Sequence, residues 1–204
     1  MYDVYIGIDP SINSTGLYII RNNVHNAYII KPKPKKLSKK EQIAQDTLQD
    51  FDYVLYDKID LKEYNDNNML HEHYKTINMI TVADIVEQTI QSLLYKKKYN
   101  NVYVIEEGIS YGSSLRTKSI FDLAGLNYLI RDRFINNPKY NFMIATPSQV
   151  KKFASGNGNC KKEVIVELYK SVHPSHEIIP KIDDISDAYF MALYAEYISK
   201  NTNK

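Results

Sequence analysis

Ile6-Gly7-Ile8-Asp9-Pro10-Ser11, closed by Ser14-Thr15-Gly16, is the stretch on which the reading of this chain turns. It begins as a short apolar strand, breaks at an Asp-Pro, and resumes as a second apolar run, Leu17-Tyr18-Ile19-Ile20. Alternation over residues 2–8 and the β-branched content of 15–20 predict two strands joined tightly. A carboxylate at the end of a buried strand is exposed at the sheet edge yet held rigidly. That placement suits a metal ligand or an acid facing phosphate.

Working outward, Arg21-Asn22-Asn23 reads as a turn and Val24 to Ile30 as a third strand, completing an antiparallel meander. Lys31 to Lys40 (KPKPKKLSKK) carries two prolines two apart and reads as an exposed loop. Residues 41–74 are less regular, with a short helix near Glu41–Leu48 and a candidate strand at Tyr53–Tyr56. Helical spacing then runs from Lys75 to Tyr95, and Val102 to Ile105 is an apolar strand. Ile120 to Phe134 reads as a helix and Asn141 to Ala145 as a strand. Pro147 opens a short helix carrying Lys151 and Lys152. After the loop Gly156-Asn157-Gly158-Asn159 come a helix over Lys161–Lys170 and a last one from about Asp183 to Ser199. Three early strands followed by alternating helices and strands predict an α/β fold: a five-stranded mixed sheet with helices on both faces. No linker or repeat divides the chain, so 1–204 is expected to be one domain with an insertion at about 31–74.

Composition sets bounds on function. A chain of 204 residues and 23.7 kDa, 44% hydrophobic and 25% charged, has the make-up of a soluble globular domain. No apolar run reaches bilayer-spanning length, and Met1-Tyr2-Asp3 leads straight into the first strand, so no membrane partner is expected. The single cysteine, Cys160, excludes an intramolecular disulfide and fits an intracellular, cytoplasmic location. The net charge of +2 is small, but lysines gather at 31–40, 96–98, 151–152 and 161–162. Abundant Tyr, Lys, Asn and Ile are residues of AT-rich codons, which points to an AT-rich genome, with a virus or phage as a plausible source.

Two further acidic sites stand at the ends of apolar elements. Glu106-Glu107 directly follows the strand 102–105, where open α/β sheets place their ligands. Asp183-Asp184-Ile185-Ser186-Asp187-Ala188 opens the last helix, and Asp184 and Asp187, three apart, share one helical face. Each has an ordinary explanation, since acids are favoured in a helix's first turn and Asp-Pro is a common turn. Together they form a cluster that needs a counter-charge. Hard oxygen donors without His or Cys select Mg²⁺ or Mn²⁺, and two such ions support phosphodiester cleavage. His71 with His73, and His173 with His176, lie apart from the acidic motifs and read as surface histidines.

At this point the chain resembles the RuvC family of Holliday junction resolvases, within the ribonuclease H-like superfamily. "IGIDPSINSTG" is similar to the family's first motif and "VYVIEEGISYGSS" to its second. "TPSQVKKFASGNGNCKKEVI" is similar to its lysine-bearing helix and glycine loop, and "DDISDAYFMALYA" to its final Asp-x-x-Asp-Ala helix. The resemblance covers roughly 1–30 and 75–199. It implies that Asp9, Glu106, Asp184 and Asp187 are catalytic carboxylates holding two Mg²⁺ ions, with Mn²⁺ able to substitute. It implies that Lys162 lies near the scissile phosphate, and that Lys151, Lys152 and Lys161 grip DNA. It further implies a homodimer that nicks four-way junctions symmetrically.

The chain also departs from that family. Ser11 replaces the usual glycine, Glu107 stands where bacterial members carry Gln, and 31–74 has no clear counterpart. Tyr111 is the candidate for the aromatic near the junction centre. Three other readings compete: a broader branched-DNA or fork nuclease, a catalytically silent junction binder, and a sugar-kinase or actin-like ATPase. The last needs a duplicated fold that this chain is too short to hold.

Overall fold

The computed structural model describes residues 1–109 and 119–202. Tyr111 therefore lies outside the described residues. The meander is present: β1 (Val4–Asp9), β2 (Thr15–Arg21) and β3 (Val24–Pro32) pair antiparallel. Asn22 and Asn23 both adopt positive φ, 47° and 60°, and Arg21 pairs with Val24 across them. Asparagine tolerates this region, and a two-residue turn of that hand matches the twist of the strands. β5 (Val102–Glu107) runs parallel to β1, and β6 (Asn141–Ala145) runs parallel to β5.

The sheet has six strands rather than five, in the order β4-β3-β2-β1-β5-β6. The additional strand, β4 (Phe51–Tyr56), runs parallel to β3 at the edge. It follows α1 (Lys39–Thr47), which Ser38 and Glu41 start with a reciprocal capping box. Two residues of the expected loop, Lys31 and Pro32, belong to β3, where they pair with Leu55 and Tyr56. Pro32 is tolerated because it is the strand's last residue. Lys31 is ion-paired to Glu41 and lies over the Tyr53 ring, so it is committed within the protein. Phe51 and Tyr53 bury against the rest of the core, which explains why this irregular stretch orders as a strand.

Helices cover both faces. α2 (Asn68–Leu94) begins seven residues earlier than its apolar spacing predicts, because Asn67 caps it through the backbone amide of Leu70. Together with α3 (Ser119–Ile135) it covers the face carrying Val4, Ile6, Ile8, Leu17, Ile19, Val102 and Val104. α4 (Pro147–Ser155), α5 (Lys162–Val172) and α6 (Ile182–Thr202) cover the other face with Tyr5, Tyr18, Ile20 and Ile105. Strand alternation thus sends odd-numbered residues of β1 and β5 toward α6 and even-numbered ones toward α2 and α3. Among the described residues no helix is long and apolar enough to cross a membrane.

The packing of α6 depends on glycine at two positions. A Cβ on Gly7 would lie 1.9 Å from the Ala188 carbonyl oxygen, and one on Gly16 would lie 2.1 Å from that of Asp184. Neither obstruction is a side chain that can rotate away. Gly7→Ala is therefore expected to cost at least about 3 kcal/mol in urea unfolding, at the upper end of overpacking penalties. Gly125→Ala, facing only the Met79 side chain at 3.5 Å, is expected to gain about 0.5–1 kcal/mol from helix propensity.

Candidate active site

Asp9 is the last residue of β1, on the α6 face with Tyr5 and Gly7, and is 8% exposed. The loop beyond it is tied by Thr15, whose hydroxyl donates to the Ser11 carbonyl at 2.8 Å and accepts the Ser11 amide at 3.1 Å. Ser14, next to it, donates its hydroxyl to Asp184 Oδ2 at 2.5 Å. The motif's hydroxyl residues therefore position the loop and one carboxylate of α6. Ser14 is a site residue that the sequence reading passed over, although it stands inside the first motif.

The two consecutive glutamates separate completely. Glu106, the expected ligand, faces α3 and is fully buried. Its Oε2 accepts from Arg131 Nε at 2.7 Å, while Oε1 finds no hydrogen-bond partner. Burial pushes its carboxyl up to about 7 even with Arg131 pulling the other way. Glu107, one residue on, faces α6 and lies beside Asp9 and Asp187. The parallel register explains the outcome: Ile8 pairs with Glu106, so Asp9 and Glu107 end adjacent strands on the same face. The structure thus corrects the placement of Glu106, which braces β5 against α3, and brings Glu107 to the cluster instead.

Asp184 and Asp187 project from the first turns of α6 toward Asp9, as their spacing requires. The electrostatic strain is plain. Burial raises the Asp9 carboxyl well above its usual range, and Glu107, Asp187 and Asp184 add to it. Burial and then Asp187 raise Glu107 to about 7. Burial also raises Asp187 and Asp184. Lys162, the first residue of α5, supplies the opposing charge. Its Nζ lies 3.1 Å from Asp183 and 3.2 Å from Asp187. Burial works against that ammonium, but Asp187, Asp183 and Asp9 outweigh it and keep the lysine protonated.

A cleft opens over Glu107, Asp187 and Lys162, with Lys151 of α4 on its wall. Pro147 and the Thr146–Gln149 capping box start α4, and Gly156 in the left-handed region ends it, which fixes Lys151 on that wall. Lys152 and Lys161 are exposed outside the cleft. The histidine expectation needs correction in part: His176 is fully buried, and His173 is half-buried beside it. Several buried carboxylates around one ammonium, all hard oxygen donors, form a donor set suited to Mg²⁺ or Mn²⁺.

The six-stranded mixed sheet in this order, flanked by helices on both faces, is a ribonuclease H-like fold, shared with solved structures of RuvC. Among solved structures, Thermus thermophilus RuvC is similar at a TM-score of 0.54 and 15% identity, covering 97% of this chain and 95% of that one. RuvC of T. thermophilus in complex with a Holliday junction substrate gives 0.50 and 16% identity, covering 97% and 94%. The yeast mitochondrial Holliday junction resolvase Ydc2 gives 0.50 and 11% identity, covering 97% and 81%. Neither a family model nor a curated protein sequence matches the chain.

The carboxylate cluster carries a pH signature in metal-free protein. The Glu107 carboxyl ionises near 4.5 when unfolded and at about 7 when folded. Between those values the folded state holds a proton that the unfolded state has lost, so its contribution to stability falls as pH rises. Glu107→Gln is therefore expected to unfold about 2 kcal/mol later than wild type at pH 8 in EDTA. The gap should close toward pH 5, as checked by urea titrations across that range.

Proposed function

We propose that this chain is a metal-dependent endonuclease that cuts branched DNA, four-way junctions foremost, by hydrolysing phosphodiester bonds. The convergence of Asp9, Glu107, Asp184 and Asp187 beside Lys162 carries the reading. Four carboxylates serve no purpose for phosphate binding unless cations neutralise them. The likeness to structures of Holliday junction resolvases supports the choice of a four-way substrate, and a homodimer acting through two sites would deliver paired nicks.

Asp9, Glu107 and Asp187 would hold the Mg²⁺ ions, with Asp184 completing the set from its bond to Ser14. When bound, the metal supplies an activated water and stabilises charge on the leaving oxygen. The chain's own residues set the geometry around that chemistry. β1 and β5 hold Asp9 and Glu107 in register, and the α6 backbone against Gly7 and Gly16 fixes the height of the other two carboxylates. Lys162, kept cationic by Asp187 and Asp183, would meet the scissile phosphate as negative charge builds on it. Lys151 extends positive charge along the cleft, and Lys152 and Lys161 are free to contact the backbone farther out.

The direct test is cleavage of a labelled four-way junction, a fork and a linear duplex of matched sequence in Mg²⁺. Symmetric, ligase-sealable nicks on the junction alone are expected. Equal cutting of the fork would make it a broader branch nuclease, and no cutting in Mg²⁺ or Mn²⁺ would refute the enzyme. Among variants, Glu107→Gln is expected to slow single-turnover cleavage by more than roughly 100-fold while junction binding persists. Glu106→Gln should lower the melting temperature and leave the cleavage rate within about tenfold of wild type. Lys162→Ala should reduce the cleavage rate by about 10²-fold, with a smaller effect on binding measured by gel shift in Ca²⁺.

A further inference from the structure

Three of the chain's five histidines meet on the α6 face, in a cluster that shares no residue with the carboxylates around Asp9. His25 comes from β3, His173 from the end of α5, and His176 from the 3-10 turn Pro174–Ile178 that follows. Asp50, between α1 and β4, reaches them from the edge of the sheet. One ligating atom each from Asp50, His173 and His176 lies within 4.8 Å of the others. The His176 Nε2 to Asp50 Oδ1 distance is already 3.0 Å. A tetrahedral site with bonds of about 2.0–2.1 Å sets its donors roughly 3.4 Å apart. Asp50 has a side chain 41% exposed and can make the small adjustment required.

We propose that Asp50, His173 and His176 form a second cation site, suited to a borderline divalent ion such as Zn²⁺, that fastens the β4 edge to the helices on the α6 face. The donor chemistry decides the ion, because two imidazoles and a carboxylate favour Zn²⁺ over Mg²⁺. The supporting contacts are those of an oriented site. The Tyr169 hydroxyl sits 2.5 Å from His176 Nδ1, leaving Nε2 turned to Asp50. The Tyr18 hydroxyl lies 3.2 Å from His173 Nε2 and 3.2 Å from His25 Nδ1, fixing both rings. The architecture gives the ion a purpose. Asp50 accepts the Ala27 amide through its carbonyl at 2.7 Å, and its side chain links the start of β4 to the 3-10 turn that follows α5. Two protein-derived histidines and one carboxylate leave a fourth position for water on the exposed side.

This site stands independently of the nuclease reading. It is tested by titrating EDTA-stripped, full-length protein with Co²⁺, a spectroscopic stand-in for Zn²⁺, in excess Mg²⁺. The expected result is one equivalent of Co²⁺ giving visible bands of a four- or five-coordinate site, displaced by Zn²⁺, and a higher melting temperature with Zn²⁺. Asp50→Asn and His173→Gln should each weaken binding at least tenfold with an unchanged near-ultraviolet dichroism spectrum. Asp187→Asn should bind Co²⁺ as wild type does. Equal binding by Asp50→Asn and His173→Gln, loss of the bands in Asp187→Asn, or neither bands nor a thermal shift in wild type would overturn the site. The cluster would then be a metal-free hydrogen-bond network.

Discussion

The absence of a side chain at Gly7 and Gly16 is the constraint from which the site follows. Their empty Cβ positions are filled by the carbonyl oxygens of Ala188 and Asp184, so the backbone of α6 rests directly on β1 and β2. Ala188 and Ala192 keep the helix flat against the strands, and both are fully buried. Helices covering sheets normally stand about 10 Å off, separated by side chains. Here that layer is missing at Gly7 and Gly16, and the carboxylates of the first turns of α6 drop to the level of Asp9. A larger residue at either glycine would lift them away from it. The acidic cluster is thus a product of packing, and its mutual repulsion is sustained by the buried contacts beneath it.

The second constraint is strand parity. Glu106 and Glu107 are chemically alike and adjacent, but a strand sends them to opposite faces. One meets Arg131 at 2.7 Å in the interior, where removing the partner would strand a buried charge. The other meets Asp9 and Asp187. Motif similarity marked the pair and assigned the role to Glu106. Choosing between them needs the β1–β5 register and the location of α3, both non-local facts. A parity count from Asp9 through Gly7 and Tyr5 would have helped only once Ile8 was known to pair with Glu106.

The same distinction between local and non-local information separates what was legible from what was not. The meander, the two strands at 102 and 141, and the late helices were legible because alternation, Asn-Asn, Pro147 and Gly156 act locally. The roles of Asp184 and Asp187 as neighbours followed from helical spacing alone. β4 was weakly marked because its stability comes from the parallel pairing with β3 and from burial of Phe51 and Tyr53, rather than from its own pattern. His176 was expected at the surface, whereas Tyr169 and Asp50, the latter 126 residues away in sequence, give it a buried polar environment. Lys31 stood in a run read as solvent-exposed charge, and only the fold of α1 and β4 over it reveals the pairing with Glu41.

If the carboxylates on the α6 face, Glu107 included, are the cation ligands, anomalous diffraction from crystals soaked in Mn²⁺ will show manganese peaks bounded by Asp9, Glu107 and Asp187, with Glu106 still paired to Arg131. Manganese coordinated by Glu106, or no manganese at these carboxylates, would contradict that assignment.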